Sequence, residues 1–242
     1  MQKLIWISIF ICTILSCKES NITAQMHQGE HLVIVDSVDA ESRFVDYDFY
    51  KRHGVYSIYY LGADTDTIQL GKHKINGFDD GYEDFQNRND FTLPDPSKLS
   101  IYVDTLIPLK QIIRVSGKGI RYYELKDTLV INAFPIIVRN HCDSLIRLGI
   151  FSEICYMVRQ VQDETGDWVD IENTIRFGCS TGARDIVIKP DSLVIALLPR
   201  YEGDYKTACR LRFMHGKHAV YSNVFYDMID KRQFSEPLPD QY

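Results

Sequence analysis

The sequence lacks three features, and each absence excludes a class of protein. It has no surplus of positive charge: 27 lysines and arginines stand against 33 aspartates and glutamates, for a formal net charge of −6, so we do not expect it to bind nucleic acid. Its long apolar run, from Leu4 to Leu15, falls short of the roughly 20 residues that a membrane-spanning helix needs. After residue 17 it has no closely spaced cysteine pair, which argues against a structural zinc site.

The first residues indicate an exported protein. Lys3 precedes the apolar run, and Ile14, Leu15, Ser16 and Cys17 end it. These last four residues resemble the lipobox of bacterial lipoproteins, which implies cleavage before Cys17 and acylation of Cys17, with palmitate among the acyl groups. A plain signal peptide with an accidental cysteine is the alternative. We therefore expect a lipoprotein signal peptide at 1–16 and a lipidated tether at 17–30, with the protein anchored by lipid to the outer membrane and facing the periplasm or the cell surface.

The rest of the chain has strand patterns and no convincing helix. Short segments rich in β-branched and aromatic residues alternate with turn residues at nearly even spacing. We expect an all-β fold with a smaller β-rich unit at 31–130, an antiparallel immunoglobulin-like β-sandwich at 131–235 and a tail at 236–242. Pro135 should break its strand into an edge or a bend, because proline has no N–H to donate.

One passage supports the immunoglobulin-like prediction. Residues 192–213, "SLVIALLPRYEGDYKTACRLRF", resemble the strand E to strand F passage of fibronectin type III and immunoglobulin-like domains. The resemblance implies that the Tyr205 hydroxyl bonds to nearby backbone at the corner. The passages "GDWVDIE", "FGCSTG", "GDYKT" and "YSNVF" also look like uncharacterised lipoproteins of Bacteroidota, a likeness that implies place and fold and supplies no catalytic residue.

Four cysteines remain after Cys17, and an exported protein can oxidise them. Two disulfides with three possible connectivities are one reading, and buried free thiols are the other. The four are Cys142, Cys155, Cys179 and Cys209.

A recurring tripeptide resembles the acceptor motif for O-glycosylation of exported Bacteroidota proteins. It consists of Asp, then Ser or Thr, then an aliphatic residue, and it occurs six times. Asp followed by Ser or Thr also favours the turn before a strand, so a structural origin is the alternative. The candidate hydroxyls are those of Ser37, Thr67, Thr105, Thr128, Ser144 and Ser192.

The composition of residues 76–98 predicts a long loop, and the segment is rich in acidic and amide side chains. Its oxygens suit calcium, the one cofactor that the sequence suggests, although the spacing is not that of an EF-hand. A solvated acidic loop is the other reading. The calcium candidates are Asp79, Asp80, Glu83 and Asp84.

No combination of nucleophile, base and acid stands out. "GCSTG" around Cys179 lacks the strand-to-helix setting of a hydrolase nucleophile, and His215 and His218 offer two metal ligands without a third. We therefore expect a binding or scaffolding module that contacts an envelope protein or a glycan, rather than an enzyme. The alternative is an envelope hydrolase with a site assembled around the 76–98 loop.

Aromatic residues are the candidate contacts for such a partner. Trp168 follows a predicted hairpin turn, and tyrosines occur as adjacent pairs at 59–60 and 122–123. Neighbours in a strand point to opposite faces, so each pair should place one ring on the core and one outward. Outward rings can stack on sugars or anchor a protein, or they can simply cover neighbouring strands.

Overall fold

The computed structural model describes residues 32–36, 54, 56–70, 98–116, 125–150, 153–174, 185–215 and 218–234. Apart from 3-10 residues at Lys98 and at Lys231–Phe234, the regular elements in these ranges are β-strands. The all-β prediction is therefore confirmed. Within the same ranges, no helix has the length and apolar character that crossing a membrane would require.

The strands are β1 (Val33–Val35), β2 (Tyr56–Ala63), β3 (Thr67–Gln69), β4 (Leu99–Val103), β5 (Leu109–Ser116), β6 (Leu125–Asn140), β7 (Ile146–Ile150), β8 (Glu153–Ile154), β9 (Met157–Gln162), β10 (Trp168–Asp170), β11 (Asp185–Ile188), β12 (Ser192–Pro199), β13 (Tyr205–His215), β14 (His218–Tyr221) and β15 (Phe225–Ile229).

The larger sheet has eight strands in the order β11-β7-β8-β2-β12-β6-β4, with β5 also beside β6. Its neighbouring strands are antiparallel. In β12, every residue after Ser192 is buried. Such a continuous apolar strand is expected where both faces of a sheet are covered.

The smaller sheet has five strands in the order β10-β9-β13-β14, with β15 also beside β13. The long strand β13 pairs with β15 along its first half and with β14 along its second half. On its other side, β13 pairs with β9.

Two apolar cores cover the two faces of the eight-stranded sheet. One contains buried side chains from both large sheets, including Ile101, Val194, Val161 and Leu211. The other is built around Ile68, Leu70, Leu193 and Ile195, and parallel strands β1 and β3 lie beside it. The two large sheets therefore share the first core, whereas the second core as described contains no residue of the five-stranded sheet.

Each large sheet has one edge that is formed by two consecutive strands with a break between them. Strands β4 and β5 follow each other along β6 with a break at 104–108, and β14 and β15 follow each other along β13 with a break at 222–224. Asn223 in the second break joins the two edges: its side chain accepts the N–H of Val103 at 2.7 Å and donates to the Val103 carbonyl at 3.0 Å. One amide thus occupies the place of a pairing strand beside β4.

Strand β6 corrects the expectation for Pro135. The strand continues through this proline, which pairs with Leu197 of β12. The carbonyl of Pro135 accepts the N–H of Asp104 at 3.1 Å, so the backbone at Pro135 faces the 104–108 break. On this side of β6 the pairing with β4 and β5 is interrupted, so the N–H that proline lacks would have no partner. The strand therefore does not break.

Two expectations for tyrosines are also wrong. Tyr59 and Tyr60 both pack on the second core, because a register shift between β2 and β12 interrupts the alternation there. The ring of Tyr205 packs edge-on against Phe234, with centroids 5.6 Å apart, and its hydroxyl makes no backbone bond among the described residues. Residues 122 and 123 lie outside the described ranges.

Strands from both sides of residue 130, the expected boundary between two β units, share one sheet. Strand β6 itself crosses the boundary, and β2 pairs with β12. The division into a unit at 31–130 and a sandwich at 131–235 stays a prediction.

Candidate functional site

Several residues singled out in the sequence lie outside the described ranges. These are Cys17 with the leader and tether, Asp79, Asp80, Glu83 and Asp84 of the acidic loop, and Cys179. In the described part of the chain, no group of three or more His, Cys, Asp or Glu side chains could hold a metal ion. The calcium hypothesis concerns other residues and stays a prediction.

The candidate glycosylation hydroxyls differ in their surroundings. Thr67 and Thr105 are exposed, whereas Ser144 and Ser192 are half-buried, and the Ser192 hydroxyl donates to the Pro190 carbonyl at 3.3 Å. Ser37 and the Thr128 side chain lie outside the description. Thr67 and Thr105 are therefore the most accessible of the described candidates, and their modification stays a prediction.

Three of the four cysteines are buried and are in no disulfide among the described residues: Cys142, Cys155 and Cys209. Burial raises the pKa of the Cys155 and Cys209 thiols to about 11. Such thiols remain protonated and are poor nucleophiles at neutral pH. The buried-thiol reading therefore applies to these three.

One contact has the chemistry of a nucleophile beside a base. The Ser100 hydroxyl lies 3.1 Å from Nε2 of His141. Among the described residues, no carboxylate holds the other ring nitrogen of His141, so the group that would orient the base is missing. The pair does not form a catalytic triad there.

A buried polar cluster lies in the core around Arg159. Its guanidinium donates to the Pro199 carbonyl at 2.6 Å and to Asp227 at 3.3 Å, and Nε lies 3.5 Å from a Glu172 oxygen. Glu172 also accepts the backbone N–H of Arg159 at 2.8 Å and the hydroxyls of Tyr56 and Tyr201. The guanidinium carbon is 4.1 Å from the centre of the Tyr201 ring.

Interactions within this cluster shift the pKa values of its tyrosines and of Arg159. Burial raises the pKa of Tyr56 and of Tyr201, and the negative charge of Glu172 raises both further. Burial alone would lower the pKa of Arg159, but Tyr201, Glu172, Tyr56 and Asp227 together raise it. The arginine therefore stays charged and the two tyrosines stay neutral, so both tyrosines can donate to Glu172.

This cluster is structural rather than catalytic. The side chains of Arg159 and Asp227 are 0% exposed and that of Glu172 is 1% exposed, so a substrate cannot reach the two carboxylates. The cluster links β9, the segment after β10, the end of β12 and β15. Of these, β9 also carries Gln160, which belongs to the surface described next.

We define the aromatic–arginine face as six residues on the outer side of the five-stranded sheet. Arg210 is its centre: the guanidinium carbon lies 4.2 Å from the centre of the Trp168 ring and 4.1 Å from that of the Tyr221 ring. These contacts join the sheet's edge strand β10, its middle strand β13 and its other edge strand β14. The six residues are Gln160, Trp168, Asp170, Arg210, Arg212 and Tyr221.

A chain of hydrogen bonds runs across the same face. Arg210 donates to the Gln160 amide oxygen at 2.8 Å, and the Gln160 amide donates to Asp170 at 2.8 Å. Arg212 closes the chain with an ion pair to the other oxygen of Asp170. The planar polar groups are thus held in fixed directions beside two aromatic rings.

The pairing register explains why these residues share one face. Arg210 is paired with Gln160, and Gln160 with Asp170; Arg212 is paired with Tyr221. The intervening residues of β13, Cys209, Leu211 and Phe213, are buried in the core. Tyr226 extends the same outer side on β15 and is 64% exposed.

The sequence identified only part of this face. It singled out Trp168 as a candidate contact, but it gave no reason to choose Gln160, Asp170 or Tyr221. The alternation in "KTACRLRFM" could have placed Arg210 and Arg212 together on the outer side of one strand. Their aromatic partners come from strands on either side, which the alternation of one strand does not show.

Comparison with known proteins found no matching family model, no matching curated protein and no matching solved structure.

Proposed function

We propose that the protein is a lipid-anchored module of the cell envelope that binds a glycan on the aromatic–arginine face. The observation that carries the proposal is the stacking of Arg210 between Trp168 and Tyr221 while Gln160 holds its side chain. Such an arrangement offers a glycan rigid aromatic surface and oriented polar groups together.

The chemistry of the face suits a sugar. A pyranose ring has C–H faces that pack on aromatic rings, and its hydroxyls pair with planar side chains that donate and accept hydrogen bonds. Trp168 and Tyr221 supply the rings, and Gln160, Asp170 and Arg212 supply the polar groups. Protein interfaces are also enriched in Trp, Tyr and Arg, but they are depleted in Asp, so the hydrogen-bonded chain through Asp170 favours a sugar.

The anchor is the second part of the proposal. Acylation of Cys17 would hold the module at the membrane, and the polar residues 18–30 would let the sheet face extend from it. A binding module needs no catalytic group. The absence of a third partner for His141 among the described residues is consistent with that role.

Glycan binding can be tested with a matched pair of variants. The purified domain is applied to an array of bacterial and host glycans, and the hits are measured by calorimetry. Trp168→Ala should weaken binding about tenfold or more, because a stacked aromatic contact and a cation–π contact are both lost. Tyr102→Ala serves as the control, since Tyr102 is a half-buried aromatic residue of β4 in the other large sheet.

Two results would overturn this proposal. One is an array on which the folded wild-type protein binds no glycan. The other is equal affinity of the Trp168→Ala variant and the wild type for every glycan bound. A far-UV circular dichroism spectrum with an unchanged β signal shows that each variant is folded.

A further inference from the structure

We propose that the glycan bound on the aromatic–arginine face is acidic, a saccharide that carries carboxylates. This inference rests on the proposed function and names the chemical class of its ligand. It starts from the charges of the face, which differ in sign from those of the whole chain.

The face carries more positive than negative charge. Arg210 and Arg212 contribute two guanidinium groups, whereas Asp170 contributes one carboxylate. The chain as a whole has a net charge of −6, so this local excess of positive charge is opposite to the general field.

Arg212 is the group most open to an anion. Its side chain is 26% exposed, and its contact with Asp170 uses one terminal nitrogen. A guanidinium has five N–H donors, so one carboxylate contact leaves room for a second anionic partner. Arg210 is instead covered by the Trp168 and Tyr221 rings and held by Gln160, so its charge is less open to a ligand.

The acidic turn beside the face would orient an acidic ligand. Asp163, Glu164 and Asp167 lie between β9 and β10, beyond the Trp168 end of the face. Asp163 accepts bonds from Thr165 and Asp167 within the turn, and Glu164 pairs with Lys231. An acidic saccharide would avoid this end, so its carboxylate should lie near Arg212 and its sugar ring near Trp168.

The register sets the length that the ligand spans. Trp168 is paired with Gln162 of β9, and Arg212 is paired with Val158 of the same strand. Gln162 and Val158 are four residues apart. At about 3.4 Å per residue, these two levels lie roughly 13 Å apart along the strands. A short oligosaccharide can therefore contact both Trp168 and Arg212.

The test compares saccharides that differ only in charge. Tetragalacturonate and tetramannuronate are titrated into the protein, and so are their fully methyl-esterified forms, which keep the sugar rings and lose the carboxylates. We expect at least one acid form to bind about tenfold or more tightly than its ester, because a charge-assisted hydrogen bond is lost on esterification. Raising the salt concentration should weaken binding of the acid form and leave the ester unchanged.

Two variants separate the roles of charge and stacking. Arg212→Gln should remove most of the difference between acid and ester, whereas Trp168→Ala should weaken both. Arg147→Gln is the matched control, since Arg147 forms a partly exposed ion pair with Asp185 at the far edge of the other large sheet.

The outcomes distinguish the two proposals. Equal binding of acid and ester would overturn the acidic ligand and leave glycan binding in place. Binding of a tetraglutamate peptide as tightly as the acid saccharide would also overturn it, because charge alone would then suffice. No binding of any of the four saccharides would overturn the acidic ligand, while the glycan array decides the broader proposal separately.

Discussion

Arg159 is the residue on which the buried charges of the core depend. It is surrounded by two carboxylates, a carbonyl and two tyrosines, and water does not reach it. Removing one member of a buried ionic group leaves the others without compensation, which is far more costly than the net value of the group.

We expect Arg159→Met to lower the free energy of unfolding by about 3–5 kcal/mol, because Glu172 and Asp227 would stay buried without their cation. Urea denaturation followed by fluorescence measures the change. Arg147→Met is the control and should cost about 1 kcal/mol or less, since its ion pair with Asp185 is partly exposed. A loss below about 1 kcal/mol for Arg159→Met would show that the cluster is not held by this charge.

The tyrosines beside Glu172 predict a loss of stability in alkali. Their pKa values lie above 10.0 in the folded protein, so the folded state keeps two protons that the unfolded chain releases once the pH passes about 10. The stabilisation is complete below that pH and decreases as the pH rises toward the folded pKa values.

The matching experiment is denaturation at pH 7 and at intervals above pH 10. The Tyr56→Phe, Tyr201→Phe double variant should start less stable, because Glu172 loses two hydrogen bonds. Its further loss above pH 10 should be smaller than that of the wild type. Tyr226→Phe, on an exposed side chain, should reproduce the wild-type curve, and equal slopes for all three proteins would contradict the argument.

Sequence reasoning at this scale identified residue types better than partners. Trp168 was recognised as a candidate contact, but the partners of Arg159 lie 13, 40 and 68 positions away along the chain. Such contacts depend on which strands become neighbours. Tyr201 illustrates the difficulty: it is the buried tyrosine near the corner, whereas the expected residue was Tyr205.

At the scale of strands, Asn223 connects the open edges of the two large sheets. Its amide satisfies both backbone groups of Val103, as a paired strand would. An unpaired edge is a template for pairing with another chain, so this side chain also protects the edge from association.

Asn223→Ala should lower the free energy of unfolding by about 1–3 kcal/mol, because two backbone groups lose their partners. It should also increase self-association, which size-exclusion chromatography at rising protein concentration detects. Asn223→Asp keeps the acceptor for the Val103 N–H and loses the donor to its carbonyl, so it should lie between the wild type and the alanine variant. A fully monomeric alanine variant of wild-type stability would disprove this role.

Most strands were predictable from local pattern, but their pairing was not. Apolar and β-branched residues in the 192–213 passage indicated β12 and β13, because those signals arise from one strand alone. The course of β6 through Pro135 was missed, since it depends on where the break between β4 and β5 falls opposite the proline. The register shift that places both Tyr59 and Tyr60 on one core was missed for the same reason, because it depends on how β2 pairs with β12.

For the whole molecule, the predicted membrane anchor would decide where the proposed glycan site acts. Composition and strand pattern predicted an all-β fold correctly, because they average over many residues. The core shared by the two large sheets and the aromatic–arginine face needed the three-dimensional arrangement. The anchor concerns residues outside the described ranges, so it stays a prediction from the lipobox resemblance.

Replacing Cys17 by Ala should abolish labelling by an alkyne palmitate analogue in the native host and move the protein from the membrane to the soluble fraction. Cys12→Ala is the matched control, because Cys12 lies in the segment expected to be removed. If the Cys17→Ala variant were labelled and fractionated as the wild type, the lipoprotein assignment would be incorrect.

The position of β12 between β2 and β6 also sets the order in which the chain can fold. Ala63 pairs with Ser192, about 130 residues later in synthesis. Until β12 has emerged, the edges of β2 and β6 that pair with β12 are unpaired. Contacts between residues so distant in sequence also form slowly. A nascent chain that stops before Ser192 should therefore need a chaperone to stay soluble, and the last quarter of the polypeptide completes the sheet that its first half began.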